Sequence, residues 1–464
     1  MTRDRTVASG LVASVTLGQE TMSQEAPVQP PPAVTTRPTR RRASTSAYRI
    51  SRFVLLIPLV VTLDVFNYFD QGGPARYALP LLAVIPVLVY WLRVPSTLVR
   101  RPTSGDGFLA ILWLFALIGT TYAIVFNRLS ATTRPMVASM GVAFLYLLVL
   151  DSPTEEEAGR ILRALCWITT LYVLLAAVVN IGLIPHLLEF RQYRNAQFAF
   201  VTGALTAAFV LRRWWLLAFL AALEVVNFVG YPSATSVLGL LAMVGTLYMT
   251  GARASKFRAY GLVALSSLMV LVSVLNIRGT LGLLTDYFSG VGKYNATAVR
   301  LELWATGLDQ FRTSPFFGRG FASLAVATAT RVTGSTVKAP YHNDLLLFLA
   351  EGGVVGLGLF LLWIVATEAT LLHRYAGFRD TGRWARAGLI RVFLVMFNTF
   401  VVSAVFNPTF NQISPSATLF ALYGVVMLLG SPISGRKGYL PRPFGQRERE
   451  ALSAAEPKTT SGHL

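Results

Sequence analysis

Residues 353–372 read GVVGLGLFLLWIVATEATLL, a block of twenty residues carrying one charged side chain, Glu368, and apolar on every side. A helix of that length crosses the ~30 Å hydrocarbon layer of a bilayer. A soluble helix would instead confine its apolar residues to one face at three- and four-residue spacing. Working outward, comparable blocks fall at about 53–70, 77–92, 107–126, 134–150, 162–184, 196–211, 214–230, 235–250, 259–277, 388–406 and 415–431. The pair flanking Arg212-Arg213 is closely spaced and reads either as two spans or as a re-entrant hairpin. The pattern predicts an all-α, polytopic membrane protein of about twelve transmembrane helices. Composition agrees: 54% of the 464 residues are hydrophobic and 14% charged, where a soluble domain carries about 25% charged residues.

The formal net charge is +19, but its distribution argues against nucleic acid. The cations sit in the tails and the short loops between blocks, as expected for a membrane protein. Residues 1–52, rich in Thr, Pro, Ser and Arg, read as a disordered basic tail, and 432–464 as a second polar tail. The domain between them is 53–431. With the N-terminus inside, the short cytoplasmic loops hold about fifteen Lys and Arg, among them Arg100, Arg101, Arg212, Arg213 and Arg391, against about five in the short outer loops. That bias puts both termini in the cytoplasm and the chain in the cytoplasmic (inner) membrane. It also places one long, partly helical loop, residues 278–352, on the extracytoplasmic side. Within this loop, Ala298–Phe311 has the helical spacing of Val299, Leu303 and Leu308, with Pro315 beyond it.

Walker, HExxH, CxxC and EF-hand patterns are absent. Gly318-Arg319-Gly320 lacks the context of a dinucleotide fingerprint and reads as a turn. The single cysteine, Cys166, lies inside an apolar block and reads as a small core residue. Glu224 with Asn227, and Asp64 with Asn67, sit three apart within spans. Each pair is either functional or a source of hydrogen bonds between spans. Glu368 reads as interfacial, at the cytoplasmic end of its span.

The loop ends in Ala339-Pro340-Tyr341-His342-Asn343-Asp344. Asn343 or Asp344 suits the N-cap of the helix that follows, which puts His342 at a helix start near the membrane surface. On position alone His342 is either a solvated loop residue or a functional one. In the outer loop after the fifth predicted span, Arg191-Gln192-Tyr193-Arg194-Asn195 places two arginines against the charge bias. Either they bind an anion or they snorkel to the headgroups.

Three pieces occur in order before a span: Arg300 with Trp304; Pro315 with Gly318 and Gly320; and His342-Asn343 with Leu346, Leu349, Glu351, Gly353 and Gly356. This arrangement resembles the O-antigen ligase and Wzy-type polymerase superfamily of membrane glycosyltransferases. Its pattern runs R-x3-W, P-x2-G-x-G, then HN-x2-L-x2-L-x-E-x-G-x2-G. Arg191 and Asn195 match a further family element that lacks its glycine here. Members commonly carry a Ser-Arg pair at a later span start. Here Tyr231–Ser236 has Ser233 without the arginine, and Arg278 is the substitute offered by the outer face.

The resemblance implies transfer of a glycan from a polyprenyl-diphosphate carrier to a lipid or glycan acceptor hydroxyl, without metal or cofactor. Arginine suits the donor because its guanidinium is always charged and forks onto phosphate oxygens. Arg191, Arg194, Arg278 and Arg300 are the donor candidates. An unperturbed histidine titrates near pH ~6.5, so His342 is the candidate base for the acceptor hydroxyl. Asn343, Asp344, Trp304 and Glu351 are the supporting residues. Membrane lipids and other polysaccharide-assembly proteins are the implied partners. A lipid-linked glycan flippase and a non-catalytic assembly subunit are the alternatives. The flippase reading predicts repeated halves and broken helices.

Overall fold

The computed structural model describes residues 99–100, 103–125, 134–149, 152–180, 197–230, 234–251, 294–321, 327–330, 336–339, 341, 343–407, 409–410, 412–430 and 433–434. All of them belong to one compact unit, Ser46–Leu464. The described helices are α1 Ser104–Val125, α2 Arg134–Val149, α3 Glu155–Asn180, α4 Phe198–Val210, α5 Trp214–Gly230 and α6 Ala234–Met249. They continue as α7 Tyr294–Thr313, α8 Asp344–Asp380, α9 Trp384–Phe406 and α10 Ile413–Leu428. Two short antiparallel ladders accompany them: β1 Val99–Arg100 with β4 Ile433–Ser434, and β2 Ala327–Thr330 with β3 Thr336–Ala339.

The predicted spans at 53–70, 77–92 and 259–277 lie outside the described residues. Each of the other nine coincides with a helix. Among the described residues, four helices are long and apolar enough to cross a membrane: Ser104–Ala123, Glu155–Val178, Asp344–Asp380 and Trp384–Val405. The remaining apolar helices are shorter. Around Arg212, α4 and α5 pack together through a tight turn, Leu211–Arg213, with Arg212 at φ 54°.

Three helices begin earlier than their apolar blocks, and their polar caps explain why. In front of α1, the Thr103 amide donates to Asp106 Oδ2 at 2.9 Å and the Asp106 amide to Thr103 Oγ1 at 3.3 Å. Thr154 and Glu157 form the same reciprocal box before α3, at 2.8 and 3.2 Å. Such boxes satisfy amides at a helix start that have no partner within the helix. Before α8 the cap is Asn343, whose Oδ1 accepts from the Leu346 amide at 3.0 Å. The carboxylate of Glu155 works at longer range, accepting from the Ala385 and Arg386 amides at the start of α9.

Helix α9 is the axis of the assembly, packed by α3, α4, α6, α8 and α10 and almost wholly buried. Outside it, α1 packs on α8 and α2, and α2 on α10. Aromatic side chains fill the space beside α9. Phe348 stacks on Phe360 at 4.1 Å between ring centroids, Phe410 meets Phe400 edge-on at 4.9 Å, and Trp363 stacks on Phe420 at 5.6 Å. Stacked and edge-on pairs at such distances add to the stability of simple burial.

Some polar residues within the helices bind neighbouring helices. Asn398 donates to Thr246 Oγ1 at 3.0 Å, and Asn227 to the Val173 carbonyl at 3.4 Å, so Asn227 does tie two helices. Cys166 is a buried core residue. Glu368 departs from expectation: it is buried, not interfacial. Helix α8 continues to Asp380, about three turns beyond position 368, so this carboxyl is far from a helix end. Arg391, counted above among the loop cations, lies inside α9 and clamps the end of α6. Its Nε donates to Thr250 Oγ1 at 2.9 Å and its Nη2 to the Leu247 carbonyl at 3.0 Å.

Replacing Arg391 with Met keeps the apolar stem and removes both bonds. Bonds to charged groups contribute about 1.5–3 kcal/mol each, so the detergent-solubilised variant should unfold at clearly lower temperature. Arg312→Gln, at an exposed surface pair, should change stability by less than about 0.5 kcal/mol. Equal melting temperatures for the two variants would show that the clamp contributes nothing.

Candidate functional site

The backbone of α8 is broken near its start. Gly353 has φ 64° and ψ −164°, a region that is nearly exclusive to glycine. A break inside an apolar helix frees amides and carbonyls that cannot turn to water. They are met here by the turn that follows α7. The Val354 amide donates to the Pro315 carbonyl at 2.8 Å, Val355 to the Phe316 carbonyl at 3.1 Å, and Gly320 to the Glu351 carbonyl at 2.9 Å. The fit leaves no space for side chains. A Cβ on Gly353 would lie 2.3 Å from the Phe316 carbonyl oxygen, and one on Gly318 would lie 2.2 Å from that of Glu351. The second and third motif pieces are therefore locked together backbone to backbone.

The first piece joins through side chains. Leu303 and Trp304 on α7 pack with Tyr341, Leu346, Leu347, Leu349 and Ala350 in a small core of their own. The buried indole of Trp304 donates from Nε1 to the Tyr341 carbonyl at 2.7 Å. The Tyr341 hydroxyl bonds to Gln310 Oε1, nearly two turns further along α7. Burial raises the pKa of this phenol, Glu351 nearby raises it further, and Arg319 partly offsets both. The hydroxyl thus stays protonated and donates. Arg300 lies four residues before Trp304, half-buried on the same helix.

Beyond position 342 the chain is held again. Asn343 is the N-cap of α8. Asp344 has a different role from capping: its buried carboxylate accepts from the Phe410 amide at 2.7 Å through Oδ2, tying the start of α8 to the turn between α9 and α10. Glu351 is fully buried. Its backbone carbonyl receives the Gly320 amide.

Among the predicted site residues, Arg300, Trp304, Asn343, Asp344 and Glu351 come together around α7 and the start of α8. His342, Arg191, Arg194 and Arg278 lie outside the described residues, although both chain neighbours of His342 are held. Reading the sequence did not identify Tyr341, Gln310, Phe410 or Arg319. The turn Gly318-Arg319-Gly320 was recognised, but its cation was not. A signal for Arg319 existed in the glycines on either side, which let an exposed arginine stand on a turn pressed against two helices. The β2–β3 hairpin, which packs on α7, had no comparable signal.

Residues 190–361 match the O-antigen ligase family model (Wzy_C), which supports the resemblance to the O-antigen ligase and Wzy-type polymerase superfamily. The matched stretch contains every motif piece described above. No curated protein matches the chain. The apolar helices and the family together define an integral membrane protein.

Two variants test the lock. Gly353→Ala meets both a disfavoured backbone region and a carbonyl oxygen, and should lower stability by more than about 3 kcal/mol. Trp304→Phe keeps the ring and leaves the Tyr341 carbonyl unpaired, at a cost of about 1–3 kcal/mol. Thermal unfolding of the purified protein measures both. A Gly353→Ala protein as stable as its parent would rule out the broken helix as a constraint.

Proposed function

We propose that this protein is a membrane glycosyltransferase of the ligase or polymerase type. It transfers a glycan from a polyprenyl-diphosphate carrier to an acceptor hydroxyl at the outer face of the cytoplasmic membrane, with both termini in the cytoplasm. The observation that carries this reading is the convergence of three motif pieces, Arg300–Trp304, Pro315–Gly320 and Asn343–Gly353, into one body, the last two locked backbone to backbone. The family match over 190–361 supports it.

In this reading His342, held between the Trp304-bound Tyr341 and the cap at Asn343, accepts the proton of the acceptor hydroxyl. The acceptor oxygen forms its bond to the anomeric carbon from the face opposite the carrier. The bond from that carbon to the diphosphate oxygen breaks, and the diphosphate leaves with the electron pair. One displacement inverts the anomeric centre. Arg300, with Arg191, Arg194 and Arg278, neutralises the charge growing on the diphosphate, which stabilises the transition state more than the ground state. The diphosphate is already a good leaving group, so no general acid is required.

The test is His342→Ala at matched membrane levels, with lipid-linked glycans and finished polymer analysed from the same cells. Loss of a general base costs roughly 10²–10⁴-fold, so polymer should vanish while a completed lipid-linked unit builds up on the outer leaflet. Normal polymer in the variant would remove His342 from the chemistry. A unit trapped on the inner leaflet would point to a flippase.

A further inference from the structure

The turn that fills the break in α8 also carries an exposed apolar edge and an exposed cation. Phe316 is 71% and Phe317 65% exposed, although each lies beside backbone held tightly to α8. Val354, whose amide binds that turn, is 55% exposed and starts an outward-facing stripe on α8 that continues at Leu362. On the other side the turn presses against α1. A Cβ on Gly119 would come within 2.7 Å of the Phe321 amide nitrogen, and the neighbouring Ile118 of α1 is exposed as well. Exposed apolar side chains thus lie on the turn and on both helices that it touches.

Arg319 stands two residues beyond Phe317 and is exposed. Its Nε donates to Thr313 Oγ1 at 3.1 Å. Among the described residues no carboxylate pairs with it, so its two terminal nitrogens remain available. It is near enough to Tyr341 to act on that hydroxyl electrostatically, and Tyr341 adjoins His342. By contrast, the exposed Arg312 on α7 is already paired with Asp309 at 2.8 Å.

A cation next to an apolar edge that continues onto membrane helices suits an amphiphile with an anionic head and a hydrocarbon tail. We propose that the Phe316–Arg319 turn is the docking edge for the polyprenyl-diphosphate carrier, with Arg319 binding the diphosphate and Phe316, Phe317 and Val354 holding the first isoprene units. This rests on the glycosyl-transfer reading for the identity of the lipid. The carrier is favoured over a bilayer phospholipid because Arg319 acts on Tyr341, the chain neighbour of His342, so that in the glycosyl-transfer reading a diphosphate held there stands near the proposed base. Arginine matches it through a two-nitrogen fork onto two phosphate oxygens.

The experiment measures equilibrium binding of unglycosylated lipids to the full-length chain in detergent micelles, so that no transfer step is involved. The probes are a long-chain polyprenyl diphosphate, the matching polyprenol and a two-isoprene diphosphate. Arg319→Gln should weaken binding of both diphosphates by roughly tenfold or more and leave the polyprenol unchanged. The double variant Phe316→Ser/Phe317→Ser should abolish the preference for the long chain over the short one. Arg312→Gln should bind like the parent.

Unchanged diphosphate binding in Arg319→Gln overturns the proposal, as does an equal loss in Arg312→Gln. A long-chain preference that survives the double variant also overturns it. So does displacement of the probe from the parent protein by an equimolar anionic phospholipid, which would make this an ordinary headgroup site. The outcome is separable from the transfer reading. Polymer that depends on His342 but binding indifferent to Arg319 defeats only the docking edge. Binding sensitive to Arg319 with normal polymer in His342→Ala defeats only the transfer chemistry.

Discussion

Amides released inside an apolar helix need partners, and the arrangement of this site follows from how they are found. When α8 departs from helical geometry at Gly353, the amides of Val354 and Val355 and the carbonyl of Glu351 lose their helical partners. In hydrocarbon each unpaired group costs several kcal/mol. The turn from Pro315 to Gly320 supplies all three partners, and it reaches them only because Gly318 and Gly353 have no side chains. The break and the turn therefore exist together. Their union brings α7 against the start of α8 and leaves position 342 between two fixed neighbours.

A second bond extends this body into the helical core. Asp344 binds the Phe410 amide, and the Phe410 ring sits among Phe348, Phe360 and Phe400. The start of α8 is thus fixed on one side by the loop and on the other by the α9–α10 turn. Removing one partner of a buried hydrogen bond usually costs more than the bond contributes, because the remaining polar group stays buried. Preorganised charge in a water-poor site is the most effective form of transition-state stabilisation.

The placement of charge around this body follows a simple division. The buried carboxyl of Asp344 ties the structural frame, and an exposed cation, Arg319, stands beside the two exposed phenylalanines. Such a division suits a substrate that is lipid at one end and polar at the other. In the proposed reading the tail follows the apolar edge and the head meets the arginines.

Much of the helical framework was legible in the chain because apolar blocks and capping residues act locally. The nine described blocks and the helix ahead of Pro315 follow from spacing, and Asn343 was legible as a cap. The ends of α1 and α3 were less so, because their first turns are polar and only the reciprocal Thr–Asp and Thr–Glu bonds mark them. Nothing local distinguishes Glu-Gly-Gly-Val-Val-Gly as a broken helix from the same letters in a continuous one, since both are equally apolar. The break at Gly353, the indole bond to Tyr341, the reach of Asp344 to Phe410 and the burial of Glu368 all depend on residues distant in sequence. The sequence by itself determined which segments are apolar helices and which residues have the chemistry for this site. Only the tertiary structure decided which of them meet, because those bonds join backbone groups whose partners are fixed by packing and not by spacing.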